Sequence, residues 1–134
     1  MISKIKAWHH ELKRMMSIKN MYFEGGVLEE LELNDAVMND YITVSPSEVT
    51  LLHSMELRDK NNREIFEGDI ITNGKEVMCI KHNNILGFYL EQEDKVQFIA
   101  EDVDFEVLDE FVELLETTVE IIGNMFETPE LIGL

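Results

Sequence analysis

The sequence predicts a mainly-β protein with one or two short helices, and three observations point there. Short apolar runs with β-branched or aromatic residues recur along the chain, as in residues 41–44 (Tyr-Ile-Thr-Val) and 77–81 (Val-Met-Cys-Ile-Lys). Turn-forming residues separate them at short intervals, as several packed strands require. Helical spacing is confined to two places, after Ser45 and after Leu108.

Taken in order, residues 2–8 alternate loosely and predict a short strand. The polar stretch 9–14 predicts a turn, and residues 15–18 a returning strand. Residues 21–24 and 27–30 flank Gly25-Gly26. Both glycines can take positive φ, which a two-residue type I′ turn demands, so a hairpin is expected there. Leu31-Glu32-Leu33 extends its second strand, residues 34–40 form a loop, and residues 41–44 a β-branched strand. Ser45-Pro46-Ser47-Glu48 admits two readings. It is a turn, or a helix start with Ser45 as N-cap and Glu48 closing a capping box, with Val49, Leu52 and His53 at helical spacing beyond.

Asp59 to Arg63 is a polar turn, since Asn and Asp tolerate left-handed backbone and bond their own amides. Gly68 lets the chain turn sharply into Asp69-Ile70-Ile71. Residues 77–81 and 86–91 predict paired strands around His82-Asn83-Asn84. Val103, Phe105 and Val107 alternate as a strand does, while Leu108, Phe111, Val112 and Leu115 follow helical spacing, so a strand running into a helix is expected near Leu108. Residues 119–123 form a last apolar strand with Ile122 buried, and Pro129 stops regular structure. The Gly68-Asp69-Ile70 step suits entry into a strand of a small SH3-like barrel. The expected architecture is therefore a short-stranded N-terminal β region and a C-terminal SH3-like small barrel. The 134 residues form a single unit, divisible into residues 1–53 and 54–134.

Formal net charge is −17, from 28 acidic and 11 basic residues. Residues 1–23 hold five bases (Lys4, Lys6, Lys13, Arg14, Lys19) against one acid, whereas residues 91–134 hold fourteen acids and one base. Affinity for duplex DNA comes from cations that neutralise phosphates, so direct duplex binding is not expected. The basic residues with Trp8 and Tyr22 suggest at most a weak patch for single strands. Cys79 is the single cysteine, which excludes an intrachain disulfide and fits a reducing compartment. No apolar stretch reaches membrane-spanning length, so a cytoplasmic protein is expected.

Chemistry-bearing patterns are few. His9-His10 would point to opposite faces of a strand, and no paired cysteines or H-E-x-x-H spacing accompany them. No phosphate loop, dinucleotide fingerprint or nucleophile turn is present. Cys79 sits between apolar neighbours and fits a buried strand position. Glu67 and Asp69 flank Gly68 and are best explained as turn-capping groups. No cofactor, metal or catalytic residue is assigned, and the chain is not expected to be an enzyme.

Two segments carry identity: Leu57-Arg58-Asp59-Lys60-Asn61-Asn62-Arg63-Glu64-Ile65-Phe66-Glu67-Gly68-Asp69-Ile70-Ile71 and Val119-Glu120-Ile121-Ile122-Gly123-Asn124-Met125-Phe126-Glu127-Thr128-Pro129-Glu130-Leu131. Together they resemble the YopX family of small proteins encoded mostly by bacteriophages and prophages. The resemblance singles out Leu57, Asp59, Lys60, Gly68, Asp69, Ile70, Ile122, Gly123, Asn124, Glu127, Pro129, Glu130 and Leu131 as family-motif positions, with structural roles expected. Met55-Glu56-Leu57 stands where the family pattern has Thr-Gly-Leu, and Asn62 where it has a turn glycine. The resemblance implies a phage or prophage origin, and the leading expectation, with no catalytic signature in the sequence, is a noncatalytic phage-type accessory protein that binds another protein and is oligomeric. Two alternatives accompany it. One is an acidic nucleic-acid mimic, or an accessory to phage DNA metabolism, engaging a basic host surface. The other is an enzyme with an unrecognised carboxylate site.

Overall fold

The computed structural model of the chain describes residues 5–83, 87–92, 95–98 and 105–133, and these are mainly β. Two compact units divide the chain, Met1–His53 and Ser54–Leu134.

In the first unit, strands β1 (Ile5–His9), β2 (Arg14–Glu24), β3 (Val27–Asp35), β4 (Asp40–Val44) and the opening half of β5 (Val49–Arg58) pair antiparallel in the order β4-β3-β2-β1-β5. Ala7, Met16, Leu31, Leu33, Val44 and Val49 form its buried core, with Ile18, Met21, Leu28, Ile42 and Leu51 packed against it. Each such aliphatic side chain contributes about 1.5–3 kcal/mol when fully buried. The expected hairpin is present: Gly25 and Gly26 have φ of 59° and 82°. Leu28, Leu31 and Leu33 share the core face although three residues separate the first two. The reason is a bulge at Glu29, where Tyr22 pairs with Glu30 but Phe23 pairs with Leu28. An extra residue on one strand resets the alternation of faces. A second bulge, at Lys19, does the same on β2.

In the second unit, the rest of β5 pairs with β6 (Glu64–Phe66). A five-stranded antiparallel sheet follows, ordered β10-β9-β8-β7-β11, from β7 (Asp69–Thr72), β8 (Val77–Asn83), β9 (Gly87–Gln92), β10 (Lys95–Phe98) and β11 (Glu120–Asn124). This sheet is what the unit shows of the expected small barrel. Helix α1 (Phe105–Thr118) precedes β11. Met55, Ile65, Ile71, Ile80, Leu115 and Val119 make the core, with Leu57, Phe88, Leu90 and Phe111 against it.

Several local expectations need correction. The expected capping box of Ser45 and Glu48 is present, with the Ser45 amide donating to the Glu48 carboxylate at 2.6 Å, but it opens only a single 3-10 turn, Pro46–Glu48, and residues 49–53 are strand. Val49–His53 pair with β1 over five successive positions, and that ladder outweighs the apolar spacing of Val49 and Leu52. The loop between β3 and β4 is only residues 36–39, since strand pairing persists to Asp35 and Asp40. His82 and Asn83 belong to β8 rather than to a turn. Phe105 and Val107 lie in α1, not in a strand, because the helical repeat already begins at Phe105, three residues before Leu108. Pro129 opens a second 3-10 turn, Pro129–Ile132, where its fixed φ suits the first position. The expected strand positions Ile2, Leu86 and Val103, Lys4 of the basic group and Asn84 of the expected turn all lie outside the described residues.

Glu56 has φ of 60° and Asn62 has φ of 63°. Both positions are glycine in the family pattern that the sequence resembles, so the backbone demand for left-handed geometry persists without glycine. Asn meets it at modest cost, whereas a Glu side chain there costs about 1–2 kcal/mol. Replacing Glu56→Gly removes that strain but adds chain entropy to the unfolded state. The net expectation is a stabilisation of about 0.5–1 kcal/mol, read as a raised urea midpoint. An unchanged or lowered midpoint would show that the conformation at Glu56 is not strained.

Candidate functional site

The two motif segments form one structure. Asp59 directly follows β5, and its carboxylate is closed off from solvent. Oδ1 accepts the amides of Asn61 and Arg63, each at 2.9 Å, so it closes its own turn. Oδ2 accepts the amide of Ile121 at 2.9 Å, a residue 62 positions away. Beside it the Lys60 amide donates to the Val119 carbonyl at 2.8 Å, and the Lys60 ammonium lies 3.7 Å from the exposed Glu120 carboxylate. The Arg63 guanidinium sits 3.6 Å from Asp59 and donates to the Ile121 carbonyl. Burial alone would raise the Asp59 carboxyl, but the three backbone amides and Arg63 outweigh it and hold its pKa below the ordinary value.

Gly68 and Asp69 make the second joint. Asp69 is buried and its Oδ2 accepts the Phe66 amide at 2.8 Å, which closes the turn between β6 and β7. Gly68 has φ of 88°, its amide donates to the Ile80 carbonyl, and its own carbonyl accepts the Met125 amide at 2.8 Å. A Cβ on Gly68 would lie 2.8 Å from the Phe126 ring. Glycine is required there both for the backbone and for the packing. Ile70 is fully buried and pairs with Cys79, while Leu57 packs against the core that holds Ile65, Ile71 and Ile80.

Asn124 organises the third. Its Oδ1 accepts the amides of Phe126 and Glu127 at 3.0 and 2.8 Å, and its Nδ2 donates to the Glu127 carboxylate at 2.8 Å. Thr128 locks the turn: its hydroxyl accepts the Asn124 amide and donates to the Asn124 carbonyl, both at 3.0 Å. Gly123 leaves room for that hydroxyl, since a Cβ there would overlap Thr128 Oγ1 and lie 3.0 Å from Leu131. Pro129, Glu130 and Leu131 form the following turn, with Glu127, Glu130 and Leu131 exposed. Ile122 departs from expectation. Ile121 pairs with Ile71 and Gly123 with Ile70, so Ile122 is a bulge residue and only half-buried.

The structure thus joins the two motif segments through backbone pairing and caps. Arg63 and Thr128 were not singled out from the sequence, although an Asn-x-x-x-Thr spacing is the signal that marks such a turn. The other candidates lie apart. His9 is buried and its Nδ1 accepts the Leu12 amide at 3.0 Å, while exposed His10 meets Thr50 Oγ1 through Nε2 at 2.8 Å. Cys79 is buried, which pushes its thiol up to about 11 and leaves it without thiolate character at neutral pH. Arg14 pairs with buried Asp35 at 3.1 Å, and Lys19 lies 3.9 Å from Glu32 and 3.6 Å over the Tyr41 ring. Two of the bases that suggested a weak single-strand patch are therefore engaged by the chain's own acids. Among the described residues no helix is long and apolar enough to cross a membrane.

A small mainly-β protein closed by turn caps from two distant segments is the class this geometry defines. The model of the YopX protein family matches residues 4–133, and the chain belongs to that family. Among solved structures it is similar to protein EF1440 from Enterococcus faecalis, at 18% identity over 96% of each chain with a TM-score of 0.57, which shows a shared fold. No curated protein matches it.

Two predictions follow from the joint's geometry. Asp59→Asn should cost about 2 kcal/mol at neutral pH, because a charge-assisted acceptor of three amides is weakened. Asp59 has a folded pKa below its unfolded one, so its stabilisation is complete above about pH 4 and is lost as pH falls through the folded value. The difference between wild type and variant, followed by urea unfolding across pH, should shrink below about pH 4. A constant difference would overturn the assignment. In the closing turn, Gly123→Ala should cost about 1–3 kcal/mol by overpacking and Asn124→Ala about 1–2 by loss of its caps, with Ile122→Ala near 1. An Ile122 effect larger than both would mean the bulge residue is core.

Proposed function

We propose that this is a noncatalytic accessory protein of phage type that works in the cytoplasm by binding another protein. The observation that supports it is apolar exposure on braced turns. Phe23 and Val27 flank the glycine turn at one end of β3 and are each 61% exposed; Val37 and Met38 occupy the turn at the other end and are 71% and 72% exposed. That second turn is held by Asp35, whose Oδ1 accepts the Val37 and Met38 amides at 3.1 and 3.3 Å. Apolar side chains on ordered turns lose little freedom when covered, which favours association. The side chains of Asp59, Asp69 and Asn124, by contrast, are spent on turn caps.

The acidic reading has one observation of its own. Glu110, Glu113 and Glu116 are exposed at three-residue spacing along α1, and the last turn holds no base. Such a row suits a basic host surface.

Salt separates the two. Affinity capture from host extract with the full chain as bait should retain one partner at near-stoichiometric yield as ionic strength rises. A partner held by the acidic row would instead be released steeply with salt and would include DNA-binding proteins. Sedimentation of the purified chain tests self-association alongside. Recovery of no partner together with a monomeric chain would overturn the protein-binding proposal.

A further inference from the structure

The ribbon formed by residues 19–30 stands apart from the rest of its sheet. Among the described residues, β1 pairs with β2 only as far as Ser17, and β4 pairs with β3 only as far as Leu31. Beyond those points β2 and β3 pair with each other alone. The bulges at Lys19 and Glu29 keep Met21, Phe23, Leu28 and Leu31 on one face, so the core's apolar stripe continues out along the ribbon. Burial falls along it, from fully buried Leu31, through half-buried Met21 and Leu28, to Phe23 at the turn. On the other face Tyr22 and Val27 are exposed too, and the Tyr22 hydroxyl donates to Glu32.

Beyond Lys19 the charge on the ribbon has one sign. Residues 20–30 contain Glu24, Glu29 and Glu30, all exposed, and no base. Lys19 at its foot is drawn to Glu32 and Tyr41. A second copy would bring these carboxylates against their own counterparts, on a chain of net charge −17. Nucleic acid is repelled for the same reason. A complementary surface must be apolar where it meets Phe23 and Val27 and basic around them. The turn that carries these side chains is preset by positive φ at Gly25 and Gly26.

Resting on the protein-binding reading above, we propose that the end of the β2–β3 ribbon docks into a protein cleft that is apolar at its base and rimmed by lysine and arginine. Phe23 is the anchor, since buried aromatic residues dominate the energetics of such contacts. Glu24, Glu29 and Glu30 meet the basic rim, which orients and speeds the encounter, while the apolar contact holds the complex once formed.

The test uses the full chain with a photo-crosslinking amino acid in place of Val27, in extract of the cell that makes the protein. One heterologous adduct is expected. Its crosslinked peptide, sequenced by mass spectrometry, should combine apolar residues with lysine or arginine. Yield should fall about tenfold or more in Phe23→Ser and be largely kept in Phe23→Leu. It should fall several-fold in the triple variant Glu24→Lys, Glu29→Lys, Glu30→Lys, which sets like charge against the basic rim, and be largely kept as salt rises, because the apolar contact holds the complex. Unfolding midpoints that match wild type keep these losses attributable to docking. An adduct to a second copy, an adduct peptide without basic residues, or a yield indifferent to Phe23 would each overturn the proposal. A second label in place of Glu113 on α1 separates it from the broader reading. Adducts from Glu113 with none from Val27 sink the ribbon and leave protein binding in place, whereas none from either position sinks both.

Discussion

The Asp59 carboxylate is the point on which the second unit depends. One oxygen closes a turn of its own neighbourhood and the other holds the strand that arrives 62 residues later. A solvent-excluded carboxylate is unfavourable unless its lone pairs are met, and here backbone amides meet them. The same amides would be unsatisfied donors without it. Each group therefore needs the other, and the dependence reaches across nearly half the chain. Gly68 and Asn124 extend the pattern: one supplies a carbonyl to Met125, the other caps the turn that Gly123 leaves space for.

Much of this was legible in the sequence, for identifiable reasons. Gly25-Gly26 between apolar runs specifies a tight hairpin because few other residues tolerate that backbone. The Asp59–Arg63 turn and the role of Gly68 follow from residue types with narrow conformational use. The YopX resemblance drew attention to Asp59, Gly68 and Asn124, whose hydrogen bonds form the joints. What was hidden depended on partners distant in sequence. Residues 49–53 look helical until β1 is available to pair with them. Ile122 looks like core until the register around it shows a bulge. Bulges at Lys19 and Glu29 are invisible because they break the very alternation by which strands are recognised in a sequence.

Those bulges also explain how an apolar stripe can leave the core and run onto a ribbon without turning over. A strict two-residue alternation through Glu29 would have placed Leu28 on the opposite face from Leu31. With the extra residue, Leu28 and Phe23 remain aligned with Met21. The apolar end of the ribbon is thus a product of register, while its acidic surround is a product of composition. The contrast with the motif joints is plain. There polar groups are consumed by the fold, whereas on the ribbon apolar groups are left outside it.

The wide sequence separation closed by Asp59 has a consequence for the order in which the chain acquires structure. The first unit is built from three neighbouring hairpins, each complete as soon as its own two strands exist, and its one longer pairing, β1 with β5, closes by residue 53. Contacts of that kind form quickly, because little chain entropy is lost in closing them. The second unit cannot satisfy Asp59 or Gly68 until residues 121–125 have been synthesised and released. During translation the first unit is therefore free to mature while the buried face of β7 still lacks its neighbour β11. Any exposure of this protein to proteases or to premature association is concentrated in that interval, and it ends only when the closing strand leaves the ribosome.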